Sequence, residues 1–242
     1  LAQSVLQQFG VELWSHVVSI GSVEALPDYA KLNDALYDTP VYCTDAEAEK
    51  DMIQIIDEAK ENGDTLGGVV EVVVQGLPLG IGTYVHYDRK LDGRLAQAVM
   101  SIQAFKGVEI GMGFQAAQVP GSQAHDEIFY EAGRGFYHKT NRCGGLEGSM
   151  TNGEPVVIRG GMKPIPTLYQ PLRSADFITH AEGLASVERS DACAVPAAAI
   201  VMQNAVAWTV LESMLEKFGG DNWQEVKRNY DGYLAAVKAA MQ

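Results

Sequence analysis

The trio Arg189-Ser190-Asp191 stands just before a long uncharged run, ACAVPAAAIVMQNAVAWTVL, and offers a cation and a carboxylate together at the entry to a buried element. A guanidinium there can hold a phosphate or the edge of a flavin, and the carboxylate is poised for proton work. The same trio could be plain capping, with Asp191 accepting backbone amides. A second unusual stretch is NRCGGLEGSMTNGEPVVIRGGMKPIPT, which places six glycines between Asn141 and Gly161 and then Lys163 ahead of two prolines. Glycines let a backbone approach a planar ligand closely and turn its amides inward. The prolines hold Lys163 to Thr167 in a stiff extended shape, a ready rim for a ring system. A tight β-meander with no ligand explains the same residues, and both readings stay open on this pattern. The third stretch, LDGRLAQAVMSIQAFKGVEIGMGF, passes from helix to strand through a polar Gln103 and a basic Lys106.

Other chemistry is poorly supported. GMGFQA at Gly111 to Ala116 matches a loose dinucleotide fingerprint, but that motif needs a helix opening at the loop. AAQVPGS follows instead and reads as strand and turn. The five histidines, His16, His86, His125, His138 and His180, are scattered, without the clustering that a metal or triad requires. His125 begins an HDE, yet no PCxxC accompanies it. His16 lies in a strand pattern and reads as a packed sheet residue. Cys43, Cys143 and Cys193 are far apart and odd in number, which suits free thiols in a reducing cytosol.

The elements that must position these groups are of both kinds. Residues 1–9 read as a helix closed by Gly10, and VELWSHVVSI as a strand. TDAE at Thr44 to Glu47 reads as a capping box opening a helix that ends near Gly63. GGVVEVVVQG is a strong strand, Asp92 to Ala104 has helical spacing, and Val108 to Met162 is β-like. Pro196 fits the first turn of an apolar helix running to about Phe218, and DNWQ at Asp221 to Gln224 opens a last one. With no repeated βαβ rhythm, this predicts an α+β layered domain.

Composition narrows the field. The chain has 242 residues, 47% hydrophobic and 20% charged, ordinary for a soluble globular protein. A net charge of -13 repels polyanions and argues against nucleic acid as a partner. The longest apolar run, Ala192 to Met202, falls short of the ~18 residues of a membrane span.

The three stretches together resemble the chorismate synthase family, and the likeness runs from LAQSVLQQFGVE to the final helix. It rests on SIQAFKGVEIGMGF, NRCGGLEGSMTNGEPVVIRGGMKPIPT and RSDACAVPAA, in that order. The resemblance implies a β-α-β sandwich, a cytoplasmic homotetramer, and reduced FMN as cofactor. It implies 5-enolpyruvylshikimate 3-phosphate as substrate, converted to chorismate and phosphate by 1,4-trans elimination in the shikimate pathway. It carries Gln103 and Ala104 over as flavin contacts, Gly148 as a lining residue, and Lys163, Pro164, Ile165, Pro166 and Thr167 as the rim. Arg189 is carried over as a flavin-binding cation and Asp191 as the family's acid at the flavin ring nitrogen. It leaves open whether the protein reduces its flavin itself with NADPH (the NADP link of some members) or relies on an external reductase.

The chain departs from the family pattern in places. Ser149 stands where relatives usually have a second glycine, Gln203 where a glutamate is common, and Ala192 where valine or proline is usual. The family's N-terminal GESHG block, RHxD histidine, phosphate-gripping arginines and SxRET segment have no counterpart in these residues. The expectation is therefore that residues 1–242 are the C-terminal portion of one chorismate synthase domain. Alone they are expected to be inactive; the alternative is a non-catalytic fragment that keeps fold and oligomer contacts. A flavodoxin-like electron carrier is disfavoured because no phosphate-binding loop follows a first strand.

Overall fold

The computed structural model describes residues 1–240. The alternating β-branched segments form β1 (Glu12–Ile20), its short extension β2 (Val23–Glu24) and β3 (Gly68–Gln75). Next come β4 (Phe105–Ile110), the hairpin of β5 (Ile128–Glu131) and β6 (Gly135–His138), and the two-residue strands β7 (Leu146–Glu147) and β8 (Met150–Thr151). β9 (Val156–Met162) and the hairpin of β10 (Arg173–Ala175) and β11 (Glu182–Leu184) complete the strands. The helices are α1 (Ala2–Gln7), α2 (Ala46–Glu61), α3 (Leu91–Met100), α4 (Gly121–Ala124), α5 (Val195–Phe218) and α6 (Trp223–Ala240).

A five-stranded sheet of order β2-β1-β3-β9-β4, antiparallel throughout, organises the molecule. Side chains alternate across it. Leu13, Ser15 and Val17 of β1 therefore share a face with Val70, Val72 and Val74 of β3 and with Val156 and Ile158 of β9. On that face lies α5, with α1 and α3 beside it. Each fully buried valine contributes roughly 1.5–3 kcal/mol to the seam. Gly160 in β9 makes room there, since a Cβ would meet the Phe105 ring at 2.5 Å and Met202 Sδ at 2.9 Å. The α+β expectation is met.

α5 is long and apolar enough to cross a membrane, but most of it is buried in this fold. Most of its apolar surface packs on the sheet, α1 and α3, while Val201, Trp208 and Leu215 stay exposed. Gln203, in its middle, is buried and fully bonded: Oε1 accepts Ser15 Oγ at 2.9 Å and the Tyr37 hydroxyl at 3.1 Å, while Nε2 donates to the Leu13 carbonyl at 2.6 Å.

The opposite face of the sheet carries Trp14, Val73 and Val157 under a cover of Leu32, Leu36 and Tyr42. It also carries a polar row across four strands, His16, Glu71, Arg159 and Glu109. Glu71 is fully buried, accepting or sharing a proton with His16 Nε2 at 2.9 Å and accepting Arg159 Nε at 2.6 Å. Burial alone would raise the Glu71 carboxyl, but His16 and Arg159 together outweigh it and hold it below the usual range. Tyr29, packed beside this row, is pushed up to about 12 by burial and then by the Glu71 charge. His16 is the sheet residue that its strand pattern implied.

Three local readings are corrected. The cap of α2 is Asp45, whose side chain accepts the Glu47 and Ala48 amides, not Thr44, whose hydroxyl is taken by the Asp28 amide at 3.0 Å. The cap of α6 is Asn222, accepting Glu225 N at 3.1 Å, rather than Asp221. The stretch after GMG is not strand and turn. Gly111 and Gly113 adopt φ of 58° and 55°, Glu109 accepts the Phe114 amide, and a 3-10 helix follows over Gly113–Gln118, then α4. A 3-10 turn leading to a four-residue helix still supplies no pyrophosphate site of the dinucleotide type.

Residues 171–189, around β10 and β11, form an arm whose side chains are almost all exposed, with Phe177 93% exposed at its tip. Asp176 fixes the tip by accepting the Ile178 and Thr179 amides at 2.9 and 2.6 Å. Nothing in the sequence reading foresaw this hairpin.

Candidate functional site

Most of the residues singled out from sequence converge past the C-terminal end of α3. That helix stops at Met100 because the chain turns into β4, with Ala104 in the left-handed region at φ 70°. L-residues rarely adopt that conformation, so it marks a backbone held by its surroundings. The Ala104 carbonyl accepts the Lys163 amide at 2.9 Å, which brings the end of β9 against the start of β4. Gln103 is exposed beside it.

From Lys163 the KPIPT segment runs extended along the same rim. Pro164 and Pro166 bring no N–H groups, so side chains from elsewhere fasten the carbonyls. Thr65 Oγ1 donates to the Ile165 carbonyl at 2.6 Å and Ser190 Oγ donates to the Thr167 carbonyl at 2.7 Å. Lys163 Nζ is held only by a long contact to the Pro164 carbonyl at 3.5 Å, leaving its charge free for a ligand.

Arg189 and Asp191 flank Ser190 and so sit on the same rim. Their side chains are 89% and 78% exposed, and Arg189 Nη2 lies 4.0 Å from Asp191 Oδ1. At that exposure the pair adds little to stability. Asp191 does not cap α5, whose N-cap is Ala194 without any side-chain bond. The capping alternative for the trio is thus excluded, and its carboxylate is left available.

Gly148 does not join them. It forms, with Ser149, the two-residue turn between β7 and β8, with φ of 56° and 65°. The Ser149 carbonyl accepts the Leu91 amide at 3.3 Å, and Ser149 Oγ donates to Asp92 Oδ2 at 3.2 Å. That docks the turn on the N-terminal end of α3, whereas Ala104 and Lys163 lie past its C-terminal end. Ten helical residues span about 15 Å. Gly148 and Lys163 therefore lie near opposite ends of α3 within this chain. Ser149 in the left-handed region carries strain that a second glycine would not.

The cluster of Gln103, Ala104, Lys163 to Thr167, Arg189 and Asp191 is an open surface with the Lys163 ammonium, the loosely paired Arg189 and Asp191, and a stiff proline edge. That donor set suits a flat, anionic ligand such as FMN: the prolines present carbonyls and ring edges, and the cations answer a phosphate. The roomiest described cavity, about 640 Å³, lies elsewhere, between the β5–β6 hairpin and α6, and is lined by Ile128, Phe136, Leu234 and Val237. Its ionisable lining, Glu147 and Glu154 beside His138, offers no lysine or arginine to an anionic ligand. Among the described residues no group of His, Cys, Asp and Glu could hold a metal ion.

Sequence reasoning overlooked Thr65 and Ser190. Ser190 was in plain view within the trio, but the role of Thr65 has no local signature, because its partner is a hundred positions away.

The chain is similar to known proteins over nearly its whole length. A family model described as chorismate synthase matches residues 1–215. The chorismate synthase of Syntrophotalea carbinolica is 56% identical over 236 residues, covering 96% of this chain and 61% of that protein. That of Geobacter sulfurreducens is 53% identical over 249 residues, covering 99% of this chain and 63% of that protein. A crystal structure of chorismate synthase superposes with a TM-score of 0.83 at 40% identity, covering 98% of this chain and 67% of that one. The chain thus spans about three fifths of the length of the curated relatives it matches.

Proposed function

The chain belongs to the chorismate synthase family, and from that premise we propose that its protein is a lyase that eliminates phosphate from 5-enolpyruvylshikimate 3-phosphate to give chorismate. The observation that supports this reading most directly is the meeting of three segments, residues 103–104, 163–167 and 189–191, on one rim. We read residues 1–242 as a portion of one domain of this family, working in the cytoplasm as a homotetramer.

Reduced FMN, when bound, would lend an electron transiently and accept it back, so that no net redox change accompanies the elimination. Ala104 and the KPIPT edge would hold the ring system against one face, with Gln103 at its margin. Lys163 and Arg189 would supply positive charge where the ligands are anionic. This matters in a protein of net charge -13, which otherwise repels a phosphorylated substrate. Asp191, free of any capping duty, would hold a proton at the flavin ring nitrogen and pass it on. In the balanced reaction a proton leaves one end of a four-carbon unit, its C–H electron pair forms a new ring double bond, the existing double bond shifts by one position, and the C–O bond to phosphate breaks at the other end. Gly148 would line the flavin from outside this rim, as its place in the family pattern implies.

The test is to supply reduced FMN and substrate anaerobically to the protein as its gene encodes it, and to follow chorismate absorbance. Phosphate release matched by chorismate is the expected result. Binding of flavin without turnover would overturn the lyase reading.

A further inference from the structure

Between the end of α2 and the start of β3, residues Asp64 to Gly67 touch both halves of the rim. Thr65 is buried, 6% exposed, and its hydroxyl donates to the Ile165 carbonyl at 2.6 Å. Next to it the Leu66 amide donates to the Ala192 carbonyl at 2.7 Å, and Leu66 bridges Cys193 in parallel. Gly67 lies flush on the backbone of Met162 to Pro164, where a Cβ would meet Met162 O at 2.3 Å and Pro164 N at 2.9 Å. One short segment therefore clasps KPIPT on one side and the residues after RSD on the other.

The hydroxyl matters because of what KPIPT lacks. Two of its five residues are prolines, and beyond Lys163 no strand ladder reaches it. Its interior carbonyls are anchored by the Thr65 and Ser190 hydroxyls, of which only Thr65 is buried. A buried carbonyl that loses its donor costs more than the bond itself was worth. Removing the Thr65 hydroxyl would thus free Ile165 to turn toward another donor and carry Pro164 and Pro166 with it.

We infer that Thr65 is a positioning residue for the flavin rim, setting the path of Lys163 to Thr167 through its bond to Ile165 without touching the ligand. This rests on the flavin reading of that rim. The experiment compares wild type, Thr65→Val and Thr65→Ser by quenching of FMN fluorescence, alongside thermal unfolding. Val keeps the shape and removes the hydroxyl; Ser keeps the hydroxyl and removes the methyl. The expected result is an FMN dissociation constant raised about tenfold in Thr65→Val, the scale of one lost buried hydrogen bond, and close to wild type in Thr65→Ser. Equal affinity in all three, or equal weakening in both variants, would overturn the inference. Failure of the wild type itself to quench FMN would instead overturn the flavin reading, and the inference with it. If Thr65→Val does not fold, amide hydrogen exchange on the wild type decides: FMN should slow exchange at Thr65 and Leu66, and unchanged rates would overturn the inference.

Discussion

Ser190 donates its hydroxyl to the carbonyl of Thr167 at 2.7 Å, so two segments 23 positions apart lie side by side. This bond brings Arg189 and Asp191 to the proline edge, and it fixes which side chains the experiments should change.

Asp191→Asn should lower turnover by about 10²-fold, the scale for a positioned acid or base, while leaving the melting temperature unchanged. The unchanged stability follows from the absence of any capping bond from Asp191. Steady-state rates beside thermal unfolding check both halves, and a rate near wild type would leave the residue without a chemical role.

Gln203→Glu keeps the shape but turns the group facing the Leu13 carbonyl from donor to acceptor. A loss of about 1–3 kcal/mol is expected at neutral pH, from a buried carbonyl left without its donor and a carboxylate stripped of water. Burial raises the folded pKa of such an acid above its unfolded value, so the penalty should shrink as pH falls toward about 4. Denaturant titrations at neutral and acid pH would show it.

Glu71 contributes to the acid limb of stability. Its carboxyl is held below the ordinary range, so its contribution is fully present above the unfolded pKa of about 4.3 and is lost as pH falls through the lower folded value. Glu71→Gln should cost about 3 kcal/mol at pH 7, because it strands the Arg159 guanidinium beside a neutral group. The two stability curves should converge in acid, and parallel curves would refute the assignment.

Ser149→Gly should raise stability by about 0.5–1 kcal/mol. The variant relieves a left-handed backbone worth roughly 1–2 kcal/mol and gives up one hydrogen bond to Asp92. Chemical unfolding of the two proteins measures the difference directly.

Much of the fold was legible because it rests on local periodicity. The alternation of VELWSHVVSI and GGVVEVVVQ fixes β1 and β3, and the nearly all-round apolar surface of α5 announces a core helix. Caps were misread by one residue where two polar side chains compete, as at Thr44 and Asp45, and only the tertiary partner of Thr44 decides between them. GMGFQA misled because positive φ at Gly111 and Gly113 permits a tight helical turn as readily as a bend. The rim was legible as three separate segments, but their union was not. Thr65, Ile165 and Ser190 meet through long-range bonds that leave no spacing in the sequence. Gly148 shows the converse: a glycine only 15 positions from Lys163 ends up at the far end of a helix.

The arm over residues 171–189 leaves the body from a root already closed by the Ser190–Thr167 bond and the Gln170–Gly63 bond. The two sides of the rim are therefore fastened to the body independently of the chain that links them. Cutting the arm at its tip, or splicing a peptide between Phe177 and Ile178, changes only a loop whose closure cost grows with the logarithm of its length. New termini placed there would leave the rim assembled, because neither the Ser190–Thr167 bond nor the Gln170–Gly63 bond depends on the arm being continuous.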